Sequence, residues 1–150
     1  MIHDSYHISE CGNWHGSNSS GPQWPSLALL FHVKEKTSCT ATIISPRWLV
    51  TSCTCITDIS SNPLEWVAFG GPHGFTPTME AGTQIKIVKG IIQHPRAKHL
   101  QHLVEHDLAL IELHQPFQFT PSVRAACLAS HKSEHTSNCI QVGWASTDIG

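Results

Sequence analysis

The chain has 150 residues, 40% of them hydrophobic and 13% charged, and its net charge is -2 when histidine is counted as neutral. This length and composition are typical of one folded domain with a real core. Phosphate neutralisation needs clustered Lys and Arg, and the sequence has no such run, so a nucleic-acid partner is excluded. The longest apolar stretch, residues 27–33, already contains His32, which argues against a membrane span.

Residues 1–21 are polar and rich in Ser, Gly and Asn, which predicts an N-terminal tether, with the domain occupying residues 22–150. Asn18 begins an Asn-Ser-Ser sequon and is a glycosylation candidate. The first residues lack a basic region followed by an apolar one, so no signal peptide is visible.

Short β-rich runs separated by turn signals follow from Trp24 onward. The predicted strands cover residues 26–33, 40–44, 48–51, 66–69, 84–88 and 108–113. Residues 34–38 predict a hairpin connection, and residues 97–106 a loop with at most a helical turn. This pattern predicts an all-β barrel or sandwich.

Cysteine usage favours oxidising surroundings. Six cysteines are many for a cytosolic chain of this size, and none forms a CxxC pair: Cys11, Cys39, Cys53, Cys55, Cys127 and Cys139. We therefore expect an extracellular or secreted protein, represented here by a piece of a larger precursor or by an incomplete gene model. A metal-binding module is the minor alternative, because twelve histidines include a crowded group: His94, His99, His102 and His106.

Six motifs, in order, resemble those of chymotrypsin/trypsin-type serine proteases. Residues 24–29 (WPSLAL) resemble the family's WPWQVSL, and residues 39–55 (CTATIISPRWLVTSCTC) resemble CGGxLIxxxWVLTAAHC. Residues 91–95 resemble IxxHPxY, residues 106–113 NDIALLKL, residues 124–128 VxPxCLP and residues 139–145 CxVTGWG. The resemblance implies an all-β trypsin-like fold, with the first antiparallel barrel and the start of the second.

That family's chemistry needs a serine nucleophile, a histidine base and an aspartate that orients the histidine. Carried over by motif, Asp107 matches the aspartate, whereas Thr54 stands where the histidine is expected. The GDSGGP motif of the serine is absent from the sequence. A threonine hydroxyl does not titrate near neutral pH and cannot act as a general base at useful rates. His32, His94 and His106 are expected to be ordinary barrel histidines rather than replacement bases.

The resemblance also implies an activation site and a set of disulfides. The IVGG-like N-terminus of an activated protease would fall at residues 13–16, but no Lys or Arg precedes Gly16. Cys39 is implied to pair with Cys55, and Cys11 with Cys127. Cys139 would lack its family partner, and Cys53 is expected to be a small buried thiol, with pairing to Cys139 or another chain left open.

The sequence therefore predicts a non-catalytic protease homologue: an extracellular interaction or regulatory domain without a cofactor or metal. Its expected partner is a protein, either an active protease or the rest of a larger polyprotein. The alternative is a trypsin-like serine endopeptidase represented by a degenerate or incomplete copy. Asp107 loses its imidazole partner, so an ionised Asp107 would be either solvated or bound to another hydrogen-bond donor, for which Thr54 is one candidate.

Overall fold

The computed structural model describes residues 11–12, 24–71, 82–100, 103–129 and 141–144. These residues form the following strands: β1 (Leu27–His32), β2 (Thr37–Ser45), β3 (Trp48–Thr51), β4 (Trp66–Gly70), β5 (Gln84–Gln93), β6 (Lys98–Leu100), β7 (Leu103–Glu105) and β8 (Ala109–Leu113). One short helix, α1 (Cys53–Thr57), follows β3, and a 3-10 turn (Pro63–Glu65) leads into β4.

Six of the strands close into an antiparallel barrel in the order β1-β2-β3-β8-β5-β4, with β4 pairing back onto β1. Closure leaves no unpaired barrel edge, so the backbone polar groups of these strands are satisfied internally. Register shifts lie on β2 against β3 and on β5 against β8. Such bulges increase local twist and help a small sheet to curve. The predicted all-β barrel is confirmed.

The barrel interior is filled by the alternate residues of each strand, as the period of a half-buried strand requires. The largest fully buried side chains include Trp66, Leu30, Ile43, Leu49 and Ile111. Phe117 closes one side of this core against Gly70, where an added Cβ would lie 2.7 Å from the phenyl ring. Gly70 is therefore the residue that lets this aromatic ring approach the sheet.

His32, in the apolar run of β1, is buried and has a hydrogen-bond partner for each of its ring nitrogens. His32 is 1% exposed, and its ring meets the indole of Trp66 edge-on at 4.9 Å. Its Nδ1 accepts the backbone N–H of Glu35 at 3.0 Å, so Nε2 carries the hydrogen and donates to a Glu65 carboxylate oxygen at 3.1 Å. As expected, His32 is a hydrogen-bonded barrel histidine.

Three local features differ from the sequence predictions. Residues 97–106, expected to be a loop with at most a helical turn, contain β6 and β7, which form a short antiparallel hairpin. Strand β2 begins at Thr37, inside the predicted connection, and β5 continues to Gln93. Strands of three residues are too short to display a readable alternation, and strand ends depend on a pairing partner that local sequence does not reveal.

Candidate functional site

The candidate site lies where β3 turns into α1. Ser52 is the N-cap of this helix, in extended conformation, and its hydroxyl accepts the backbone N–H of Cys55 at 3.2 Å. A serine in this position satisfies one of the N–H groups that a helix start leaves without a partner. The cap explains why the chain forms a helical turn immediately after a strand, although the sequence analysis did not predict this helix.

Asp107 meets this helix from the other side of the site. It lies two residues before the start of β8, which pairs with β3 so that Ala109 is opposite Thr51. The preceding residue, His106, has a φ of 55°, a left-handed conformation that redirects the chain. The Asp107 Oδ1 atom accepts the backbone N–H of Thr54 at 2.7 Å. Strand pairing thus brings two residues 53 positions apart into a short hydrogen bond.

The side chain of Thr54 plays no part in this contact. Its hydroxyl oxygen is buried and has no hydrogen-bond partner among the described residues. The expected donor to Asp107 is therefore Thr54, but through its main chain rather than its hydroxyl. A buried hydroxyl without a partner costs free energy, so this position is not optimised for stability.

The thiol of Cys53, the residue before Thr54, is not reactive either. Cys53 is a free cysteine and is 1% exposed. Burial raises the pKa of its thiol, and the negative charge of Asp107 raises the pKa further. Because the thiolate is the reactive form of cysteine, the Cys53 thiol is not an activated nucleophile.

The structure contains two disulfides among the described residues, and both implied pairings are confirmed. Cys39 of β2 is bonded to Cys55 of α1, and Cys11 is bonded to Cys127, 116 positions further along. Next to the second disulfide, the Gly12 N–H donates to the Ala125 carbonyl at 3.0 Å. Asn18, Cys139 and the expected activation site at residues 13–16 lie outside the described residues.

His32, His94 and His106 make contacts with residues other than Asp107 in the described part of the chain. His94 and His106 stack on each other, with ring centroids 4.7 Å apart and planes inclined by 13°. In the described residues, no histidine ring hydrogen-bonds to Asp107, and no three metal-ligating side chains cluster. Of the other two crowded histidines, the side chain of His99 and all of His102 lie outside the described residues.

The comparison with protein families agrees with this architecture. The trypsin family model matches residues 13–150, so the chain belongs to the trypsin family of serine protease domains. The structure describes one barrel of that fold. No helix among the described residues is long and apolar enough to cross a bilayer.

The chain is also similar to two much longer proteins. Over 138 residues it is 30% identical to the Suppressor of tumorigenicity 14 protein homolog of Bos taurus. This match covers 88% of this chain and 16% of that protein. It is 29% identical over 137 residues to Transmembrane protease serine 9 of Rattus norvegicus, covering 90% of this chain and 12% of that protein. The chain thus spans less than a fifth of the length of either relative.

Proposed function

We propose that this chain is a non-catalytic serine protease homologue, an extracellular domain that acts by binding other proteins rather than by cutting them. The observation that carries the proposal is Thr54, the residue that the motif resemblance aligns with the triad histidine. Its amide hydrogen-bonds to Asp107, and its hydroxyl has no partner among the described residues.

The chemistry of the family makes this substitution decisive. Acyl transfer from a peptide needs a base that takes the proton of the serine and returns it to the leaving amine. A threonine hydroxyl cannot hold that proton near neutral pH, and it is too short to bridge Asp107 to a nucleophile. In another protease that uses the same triad, removal of the histidine alone lowers kcat on the order of a millionfold.

The surroundings of Asp107 provide no substitute. The described hydrogen bond of its carboxylate is to a backbone amide, which cannot transfer a proton in a catalytic cycle. Cys53, although adjacent, is a buried thiol with a raised pKa. The absence of any Lys or Arg before Gly16, where family zymogens are cut, is independent support from the sequence.

The extracellular location is supported by the two disulfides, because such bonds persist in oxidising compartments. We infer that the partner is a protein, either an active protease or another part of a larger polyprotein. A barrel that keeps its disulfides and its core without the catalytic base is suited to present surfaces and loops.

Hydrolysis of peptide amides by the natural full-length protein tests the proposal. We expect rates equal to those of the Thr54→Ala variant and of buffer, across fluorogenic substrates with basic, aromatic and small residues at the cleavage position. The alternative, a working serine endopeptidase, predicts hydrolysis that a serine-directed inhibitor blocks. That result would overturn the proposal.

A further inference from the structure

Two stacked histidines lie at the base of the β6–β7 hairpin. His94 follows directly after β5 and His106 directly after β7, and their rings stack with centroids 4.7 Å apart. The backbone closes the same base: the His94 N–H donates to the Leu108 carbonyl at 2.9 Å, and the Leu108 N–H donates to the His106 carbonyl at 2.7 Å. The two rings therefore lie where the chain leaves the barrel and returns to it.

The hairpin pairs only with itself in the described part of the chain. Its two strands have three residues each, and neither pairs with a barrel strand. An isolated two-stranded hairpin is only marginally stable in water. His106 also has a φ of 55°, which is unfavourable for a residue with a side chain. Ala97 packs against the core, and the stacked histidines add a second contact at the base of the hairpin.

The ring of His94 takes part in the first turn of the hairpin through its Nδ1 atom. This nitrogen accepts the Arg96 N–H at 3.2 Å, so the hydrogen of the neutral ring is on Nε2. In the same turn, the Ala97 N–H donates to the His94 carbonyl at 2.9 Å. A proton taken up by this ring must bind at Nδ1, which then becomes a donor that faces the N–H of Arg96. Protonation of His94 therefore breaks this hydrogen bond and sets two donors against each other.

The charged groups near the two rings form no ion pair with them within the described residues. The carboxylate of Asp107 accepts the Thr54 N–H, and Glu105 lies opposite Lys98 in the register of the hairpin. The charged and titratable residues on the elements around the pair are the following: Cys53, Asp58, Lys86, Lys89, Arg96, Lys98, Glu105, Asp107 and Glu112. The side chain of His99, on β6, lies outside the described residues. Two protonated rings stacked in this way would repel each other.

We propose that His94 and His106 form an acid-sensitive clasp, which holds the β6–β7 hairpin on the barrel at neutral pH and releases it when the rings are protonated. Histidine takes up its proton between about pH 8 and pH 5, and solvent reaches both rings, since His94 is half-buried and His106 exposed. The open hairpin accepts protons that the stacked, hydrogen-bonded rings disfavour, so acid favours the open form. Release would change the surface next to Asp107. The inference does not rest on the proposed function, because it holds whether or not the domain is catalytic.

Hydrogen exchange followed by mass spectrometry tests the clasp on the natural full-length protein with its disulfides intact. Exchange is compared at about pH 7.5 and about pH 5, after correction for the intrinsic pH dependence of exchange. Uptake of one proton on opening shifts an equilibrium by up to tenfold per pH unit, so we expect the protection of the β6 and β7 amides to fall about tenfold or more. The amides of β1 and β3, in the barrel, should keep their protection.

Asparagine variants separate the clasp from the other histidines. His94→Asn keeps an oxygen close to the position of Nδ1 but cannot take up a proton, so we expect the hairpin to stay protected at both pH values. His106→Asn removes the second ring, and asparagine tolerates a left-handed φ well, so we expect a folded protein with a smaller pH response. His114→Asn is the matched control, because His114 is exposed and follows β8, outside the hairpin. It should respond to acid like the unaltered protein.

Unchanged protection of β6 and β7 between the two pH values in the unaltered protein would overturn the assignment. So would an equal pH response in His94→Asn and His114→Asn, which would show that another group titrates. A loss of protection that extends to β1 and β3 would also overturn it, because the whole barrel would then open in acid. If His94→Asn does not fold, His106→Asn decides the question, and an undiminished pH response in that variant contradicts the clasp.

Discussion

Asp107 is expected to stabilise the fold, and its replacement by alanine tests that role. In the structure its carboxylate accepts the Thr54 N–H, which is one of the donors that the start of α1 leaves without an intrahelical partner. Ser52 satisfies a second such donor, that of Cys55. The first turn of the helix is therefore held by two side chains, one from its own cap and one from the segment before β8.

The magnitude follows from the kind of bond that is lost. A hydrogen bond to a charged group contributes about 1.5–3 kcal/mol, and a buried N–H left without a partner costs a similar amount. Because Asp107 is only partly buried, we expect Asp107→Ala to lower the free energy of unfolding by about 2 kcal/mol. Asp107→Asn keeps an oxygen acceptor and loses only the charge, so we expect a loss of about 1 kcal/mol or less.

Urea unfolding followed by tryptophan fluorescence, with the disulfides intact, measures both values. For a chain of this size, the alanine variant should also melt about 4–8 °C below the unaltered protein. Asp58→Ala is the matched control, because Asp58 is exposed at the other end of α1; its effect should stay below about 0.5 kcal/mol. If Asp107→Ala unfolds like the unaltered protein, the contact with Thr54 contributes nothing and the reasoning is refuted.

Three further outcomes are expected. The pKa of Glu65 is lowered from 4.5 to about 2, mainly by the hydrogen bonds that its carboxylate accepts from Lys34, Ser60 and His32. The contribution of the ionised Glu65 to stability is therefore present above pH 4.5 and is lost as the pH falls toward 2. Between those pH values, the free energy of unfolding should fall more for the unaltered protein than for Glu65→Gln in acid-urea titrations; equal slopes would contradict this. Cys53 should resist iodoacetamide in the native protein and react once guanidinium has unfolded the chain, as mass spectrometry would detect, because its thiol is buried and its pKa is raised. In the chain-entropy model, replacing both Cys39 and Cys55 by serine should lower the free energy of unfolding by about 3 kcal/mol. Replacing Cys11 and Cys127 should lower it somewhat more, because this disulfide closes a longer loop. A larger loss for the Cys39–Cys55 pair in calorimetry would count against that model for this protein.

The sequence predicted the barrel because its strands show short β-rich runs between turn signals, and because six motifs fixed their order. The two disulfides followed from the same resemblance. Asp107 and Thr54 were singled out by motif alone, and pairing of β3 with β8 brings them together. What motif matching could not give was the atom involved: the Thr54 amide, rather than its hydroxyl, contacts the carboxylate.

The remaining features escaped sequence analysis for physical reasons. Helix α1 has five residues, fewer than two turns, so no helical periodicity could reveal it; the only local signal is Ser52 as a potential cap. The hydrogen bonds that Glu65 accepts from His32 and Lys34 likewise join residues about 30 positions apart.

The central claim is that the barrel has been kept without its catalytic base, and covalent labelling of a serine tests it most directly. A fluorophosphonate probe reacts with serine hydroxyls that a neighbouring base has activated. Incubated with the natural full-length protein, beside an active trypsin-family protease as positive control, the probe should leave the protein unlabelled in intact-mass spectra. Stoichiometric labelling at a single serine, absent after heat denaturation, would contradict the account.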